Sequence, residues 1–295
     1  MSLVATLISS PAAAVLTRDV ADSATRALRA RAPRWLADGI ACDIDLPEDA
    51  DATEAETRLR ETLAGLPLDV AVQPAQGRRK SILIADMDST MIDQECIDEL
   101  AAEVGLKDHV SAITRRAMNG EIAFEPALRE RVALLKGLSA AVVDDVIARR
   151  ITLTGGGPEL VRTMRARGGY TALVSGGFTL FTAPIGAMIG FHENRANILD
   201  VDDGRFSGTV REPILGREAK RDTLVELRAR FGLSAHETMA VGDGANDLAM
   251  LGEAGIGIAF RAKPKVAEAA AARIDHGDLS ALLYMQGYRR DDFAA

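Results

Sequence analysis

The stretch Ile82-Leu83-Ile84-Ala85-Asp86-Met87-Asp88-Ser89-Thr90 constrains the fold of this chain more than any other. Four apolar residues stop at two carboxylates, and two hydroxyls follow. A short apolar run with polar boundaries reads as a strand buried on both faces, the kind found in parallel sheets. In open α/β sheets the ligand sits beyond the carboxyl ends of the strands, which is where Asp86 and Asp88 fall. Two residues apart in extended chain, they point to one side. Like charges that close are costly unless a cation or a shared proton relieves them. Taken alone, the stretch also fits a strand whose terminal Asp merely caps the next helix.

The pattern recurs. Thr171-Ala172-Leu173-Val174 is a second buried strand, ending in Ser175-Gly176-Gly177. Thr238-Met239-Ala240-Val241 is a third, ending in Gly242-Asp243-Gly244-Ala245-Asn246-Asp247, and Ile256–Phe260 is a fourth. Gly155-Gly156-Gly157-Pro158 opens a helix, with Pro near its first turn. Asn197–Val210 reads as a hairpin around Asp-Asp-Gly. Apolar strands alternating with helices predict an α/β fold, a doubly wound (Rossmann-like) parallel sheet.

Between the first and second of these strands, the stretches Gln94–Val104, His109–Asn119, Pro126–Leu135 and Ala140–Arg149 have helical periodicity, broken at Gly105, Gly120 and Gly137. This predicts a helical cap over about residues 92–150, inserted after the first core strand. Glu95, seven residues past Asp88, starts near the reaction centre, and Arg131 offers a guanidinium fork for a carboxylate. Taken alone, each fits a solvated charge better. Ahead of the core lies a small α+β unit over residues 1–77: strands at 3–9, 41–46 and 68–72, and helices at 19–31 and 52–64. Gln76–Lys80 suits a linker to the remainder, 78–295. The N-terminal unit carries no recognisable chemistry, so a regulatory or dimerising role is expected.

Composition narrows the function. A net charge of −8, with no basic run beyond Arg78-Arg79-Lys80, disfavours nucleic acid. Cys42 and Cys96 lack metal-ligand spacing and read as reduced thiols. His109, His192, His236 and His276 are scattered. Ala12-Ala13-Ala14 could pass for a signal cleavage site, but no Lys or Arg precedes Arg18, and no stretch reaches the roughly 18 apolar residues of a membrane span. A cytoplasmic protein with a small-molecule substrate is expected, with a homodimer among the forms open to it.

A doubly wound sheet brings the three polar strand ends together. Carboxylates from two strands make a hard oxygen site suited to Mg²⁺. Ser175, the glycine N–H groups and Lys220 suit the oxygens of a phosphoryl group. One Asp of the pair can attack phosphorus while the other handles protons.

Asp-Met-Asp-Ser-Thr, Ser-Gly-Gly, a lysine and Gly-Asp-Gly-Ala-Asn-Asp, in this order and over about residues 80–285, resemble the four motifs of the haloacid dehalogenase superfamily, and most closely its phosphoserine phosphatases. The resemblance implies Asp86 as nucleophile and Asp88 as acid/base. It implies Mg²⁺ held by Asp86, the Asp88 carbonyl and Asp243, with Asp247 in support. It implies phosphate held by Ser175, Gly176 and Lys220, with Asn246 touching the phosphate or the metal shell. In the cap, Glu95, Arg131 and Phe124 match positions that bind the substrate amino group, bind its carboxylate and supply an aromatic wall. The N-terminal unit is similar in pattern to small amino-acid-binding (ACT-like) domains. Gly155–Pro158 departs from the Pro-Gly pair more common in the family. The implied activity is hydrolysis of O-phospho-L-serine to L-serine and phosphate, the last step of serine synthesis. The alternatives are a related phosphatase for phosphothreonine, phosphohomoserine or a sugar phosphate, and a non-catalytic amino-acid sensor.

Overall fold

A computed structural model of the chain describes residues 2–294; Met1 and Ala295 lie outside the described residues. In chain order, β1 (Leu3–Ser9), α1 (Arg18–Ala27), β2 (Arg34–Ala37), β3 (Ala41–Asp45), α2 (Ala52–Thr62) and β4 (Leu68–Pro74) form an antiparallel sheet of order β2-β3-β1-β4 with two helices. β5 (Ile82–Ala85) then starts a second sheet. The cap helices α3 (Cys96–Ala102), α4 (Lys107–Met118), α5 (Phe124–Ala133) and α6 (Val142–Arg150) follow. The chain returns through α7 (Gly157–Ala166), β6 (Tyr170–Phe178), α8 (Thr179–Ile189) and β7 (Glu193–Asn197) to the hairpin β8 (Leu199–Asp202) and β9 (Arg205–Val210). It ends with α9 (Arg217–Phe231), β10 (Thr238–Gly242), α10 (Leu248–Glu253), β11 (Ile256–Phe260), α11 (Pro264–Ala269), β12 (Ala272–Ile274) and α12 (Ala281–Met285).

The second sheet has the order β12-β11-β10-β5-β6-β7, and every pairing is parallel. The period-two rule is visible in β5. Leu83 and Ala85 join the core on one face, and Ile82 and Ile84 the core on the other. The chain winds from β5 outward to β7, then crosses to β10 and outward to β12. The reversal of direction therefore falls between β5 and β10, where a doubly wound sheet opens its ligand crevice.

The antiparallel sheet buries one face under α1 and α2, with Leu7, Ile44, Leu59 and Val70 in that core. Its other face, with Ile8, Ala41 and Ala71, joins the main core beside Leu282 and Tyr284 of α12. Polar contacts fix the docking. Gln73 Nε2 donates to the Met285 carbonyl at 2.6 Å. The Asp69 carboxylate accepts the backbone N–H groups of Asp275 (2.7 Å), His276 (3.1 Å) and Gly277 (2.7 Å). Asp69 is 3% exposed, so an Asp69→Ala chain leaves three backbone donors without their acceptor. We expect a loss of about 2 kcal/mol in denaturant unfolding. An unchanged midpoint would contradict this role for the carboxylate.

The expected linker is not a free tether. Arg78 pairs with Asp43, Arg79 lies over the Tyr288 ring at 4.5 Å, and Lys80 Nζ donates to the Gly77 and His236 carbonyls. The first helix, expected to reach Arg31, stops at Ala27, because Arg29 turns into the left-handed region at φ 52°. The second core strand runs past Val174 to Phe178. Asn197 closes β7 instead of opening the hairpin, which begins at Leu199. Cys42 and Cys96 are both buried and unpaired. No helix among the described residues is long and apolar enough to cross a membrane.

Candidate active site

Asp86 is the first residue past β5, and its N–H still donates to the Val241 carbonyl of β10 at 3.0 Å. The register Ala85↔Val241 therefore seats Asp86 beside Gly242 and brings Asp243 next to it. Oxygens of Asp86, Asp243 and Asp247 lie within 4.8 Å of one another, all three residues buried. The Lys220 ammonium, reaching in from α9 and fully buried, sits 2.7 Å from Asp86 Oδ1 and 2.6 Å from Asp247 Oδ1. Burial pulls the lysine pKa down, but Asp247 and Asp86 outweigh it and the net shift is upward, so the cation is kept. Burial, then the Asp247 charge, push the Asp86 carboxyl up to about 7 against the pull of Lys220.

Asp247 is braced on both sides. Oδ1 takes the lysine, and Oδ2 accepts the N–H groups of Asp243 (3.1 Å) and Gly244 (3.0 Å). This turn presses so close that a Cβ at Gly242 would lie 2.4 Å from Asp247 Cγ, which is why glycine stands there. Asp243 Oδ1, Asp88 Oδ1 and Asn246 Oδ1 are buried without a hydrogen-bond partner. Three buried carboxylates, one ammonium and these orphaned oxygens make a hard, over-acidic donor set, which fits a small divalent cation.

After Asp86 the chain turns sharply through Met87–Met91, with Ser89 in the left-handed region at φ 55°. The turn sets Asp88 opposite β6: a Cβ at Gly177 would lie 3.4 Å from Asp88 Oδ2 and 3.1 Å from Ser175 Oγ. Ser175 Oγ accepts the Gly177 N–H at 2.9 Å. Burial first, then the Glu95 and Asp86 charges, raise the Asp88 carboxyl well above the usual carboxylate range, which favours its protonated form. Asn197 supports this loop. It donates to the Gly176 carbonyl (2.9 Å) and accepts the Leu215 N–H (2.6 Å), tying the serine-glycine loop to the segment that leads into α9.

The cap closes over these groups. The Phe124 ring sits against Gly176, where a Cβ would meet Cζ at 2.8 Å. The cap hangs on two strand-like linkers, paired by Asp93 N–H to Thr152 O and Thr154 N–H to Met91 O, each 3.0 Å. Glu95, at the start of α3, accepts from Ser89 Oγ at 2.7 Å. Arg131 is 5% exposed; Nε donates to the Ala127 carbonyl (3.1 Å) and Nη1 to Thr114 Oγ1 (3.0 Å). One cavity of about 780 Å³ is lined by Asp86, Asp88, Phe124, Arg131, Ser175, Gly176 and Asn246. Lys220, Asp243 and Asp247 cluster with Asp86 and do not themselves line the cavity. Glu95 is set back from the cavity wall, on Ser89.

Asn197, Thr114 and Asp98 support this site, and the sequence reading missed all three. None belongs to a motif: Asn197 ends β7, Asp98 lies in the first turn of α3 and Thr114 lies within α4. Only the buried helical position of Thr114, one turn past Val110, could have hinted at an inward hydroxyl.

A family model for haloacid dehalogenase-like hydrolases matches residues 83–252. A phosphoserine phosphatase from Archaeoglobus fulgidus is 42% identical over 234 residues, which is 79% of this chain and 68% of that protein. A HAD family hydrolase from Salmonella enterica subsp. enterica serovar Typhi superposes with a TM-score of 0.84 at 30% identity, over 96% of this chain and 98% of its own. A structure described as a phospho-aspartyl intermediate analogue of phosphoserine phosphatase matches with a TM-score of 0.66 at 40% identity, over 70% of this chain and 98% of its own. With the motif residues gathered at the strand tips and these likenesses beside them, the chain belongs to the haloacid dehalogenase-like hydrolase family.

Proposed function

We propose that the chain is an Mg²⁺-dependent phosphatase that hydrolyses O-phospho-L-serine to L-serine and phosphate. The observation that carries this reading is one cavity open both to the Asp86–Asp88 pair and to a buried arginine on the cap. The relative from Archaeoglobus and the phospho-aspartyl analogue bear names that agree with it.

Asp86 Oδ attacks phosphorus, and the bond from phosphorus to the serine oxygen breaks. Asp88, whose raised carboxyl favours the protonated form, gives a proton to the leaving alkoxide. The same carboxylate then takes a proton from water, whose oxygen attacks the aspartyl-phosphate and returns Asp86 to a carboxylate. Ser175, the Gly176 N–H and Lys220 hold the phosphoryl oxygens, and Asn246 fixes the edge of the same site. Asp86, the Asp88 carbonyl and Asp243, with Asp247 behind them, would hold Mg²⁺. When bound, the ion offsets the repulsion between anionic nucleophile and anionic ester. Glu95 and Arg131 take the ammonium and carboxylate of the substrate, and Phe124 closes the wall.

The N-terminal 77 residues, with a core of their own, are read as a regulatory or dimerising unit. A cytoplasmic location accords with two unpaired buried thiols. A complete set of catalytic groups favours an enzyme over a vestigial site in a sensor.

Phosphate release from a panel of phosphorylated amino acids and sugars, with and without Mg²⁺, tests the reading. Phosphoserine should lead the panel, and only with the metal. Arg131→Ala should lower kcat/KM for phosphoserine by about 10²-fold or more, because it strips the partner from a desolvated carboxylate. It should leave an aryl phosphate nearly untouched. Equal losses on both esters would remove the assignment of Arg131.

A further inference from the structure

Arg131 is held in an unusual way for a buried cation. Its Nη1 donates to Thr114 Oγ1 at 3.0 Å, and Thr114 Oγ1 lies 2.8 Å from Asp98 Oδ1. That hydroxyl has one proton and two acceptors in reach, Asp98 and the Val110 carbonyl at 3.0 Å. The charged acceptor is the stronger, so the proton goes to Asp98 and the lone pairs face the guanidinium. Ser111 Oγ donates to the other oxygen of Asp98 at 2.5 Å, which fixes the carboxylate. Arg131, Thr114 and Asp98 are all buried, on α5, α4 and α3 respectively. Thr114 and Arg131 line the reaction cavity together.

The hydroxyl thus stands between a cation and an anion that do not touch. A direct Asp98–Arg131 pair would fill the guanidinium fork and cancel its charge. A hydroxyl in between orients the fork while leaving its other N–H groups and most of its charge for a ligand. Of the five guanidinium N–H groups, one goes to the Ala127 carbonyl and one to Thr114. The remainder are free for a carboxylate.

Resting on the reading of Arg131 as the carboxylate ligand, we infer that Thr114, backed by Asp98, is a positioning residue that sets the enzyme's preference for phosphate esters bearing a carboxylate. It touches no reacting atom. Its removal therefore weakens recognition of one substrate group and leaves the chemical step alone.

The test compares full-length enzymes on O-phospho-L-serine and on O-phosphoethanolamine, which keeps the phosphate and amine but lacks the carboxylate. Thr114→Val should raise KM for phosphoserine about ten-fold or more with kcat little changed, and should leave both constants for phosphoethanolamine near wild type. Thr114→Ser keeps the hydroxyl and should restore the wild-type preference. Asp98→Asn, which keeps an acceptor without the charge, should show the same selective rise in KM, should the valine variant fail to fold. Equal changes on both esters, no change for phosphoserine, or a serine variant that has lost the preference would each overturn the proposal. A wild-type enzyme that does not favour phosphoserine over phosphoethanolamine would refute the substrate reading itself, before any variant is made, and the proposal would fall with it.

Discussion

An Asp86→Asn enzyme is expected to lose phosphate release by on the order of 10⁴-fold or more, since a nucleophile's removal costs nearly the whole of the chemistry it begins. The fold should survive. Asparagine has the carboxylate's shape, its carbonyl can still accept the Met87 N–H that Asp86 accepts at 2.8 Å, and Lys220 keeps its 2.6 Å pair with Asp247. Without added metal the variant should be no less stable than the parent, because one of three crowded buried carboxylates has been neutralised. Circular dichroism and a thermal melt under chelation, beside a phosphate-release assay, measure all three. Retained turnover would refute the nucleophile assignment, and a collapsed fold would show that Asp86 is chiefly structural.

Lys220→Met is expected to strike stability as hard as activity. Lys220 is the ammonium that pairs with both Asp86 and Asp247, and it is fully buried. Removing one partner of a buried ionic cluster leaves uncompensated charge, at about 3–5 kcal/mol. The deficit should depend on pH. Burial and Asp247 already push the Asp86 carboxyl up to about 7, and the lysine opposes that rise. Without the lysine the folded-state pKa climbs further above the unfolded one. A carboxyl raised on folding favours the native state at low pH and loses that favour as pH rises through its folded value. The metal-free variant should therefore fall further behind the parent at pH 8 than at pH 6. Denaturant titrations at both values decide the matter. A deficit that shrinks as pH rises would contradict the ionic arrangement described here.

The core of the molecule was legible because its strands advertise themselves. Ile82–Ala85, Thr171–Val174, Thr238–Val241 and Ile256–Phe260 are apolar on both faces, as a parallel sheet covered by helices demands. Once parallel, their polar ends had to meet. The edge strands carried no such signal. β7 reads Glu-Asn-Arg-Ala-Asn and β12 only Ala-Arg-Ile, and both exist because a neighbour offers a ladder. β2, a four-residue strand directly after Pro33, is of the same kind. The docking of the N-terminal sheet rests on Asp69 and Gln73 reaching backbone groups about two hundred residues away, a contact no local pattern announces. At the site, the motif residues stood out by spacing, whereas Thr114, Asp98 and Asn197 act through hydrogen bonds that only three dimensions bring together.

The most direct measurement is chemical trapping of the intermediate. Wild-type enzyme turning over phosphoserine with Mg²⁺ is quenched and treated with borohydride, which reduces an aspartyl-phosphate to homoserine, and its peptides are sequenced by mass spectrometry. Homoserine at position 86 alone is the predicted result. Homoserine at 88, 243 or 247, or at no position in an enzyme that is turning over, would contradict it.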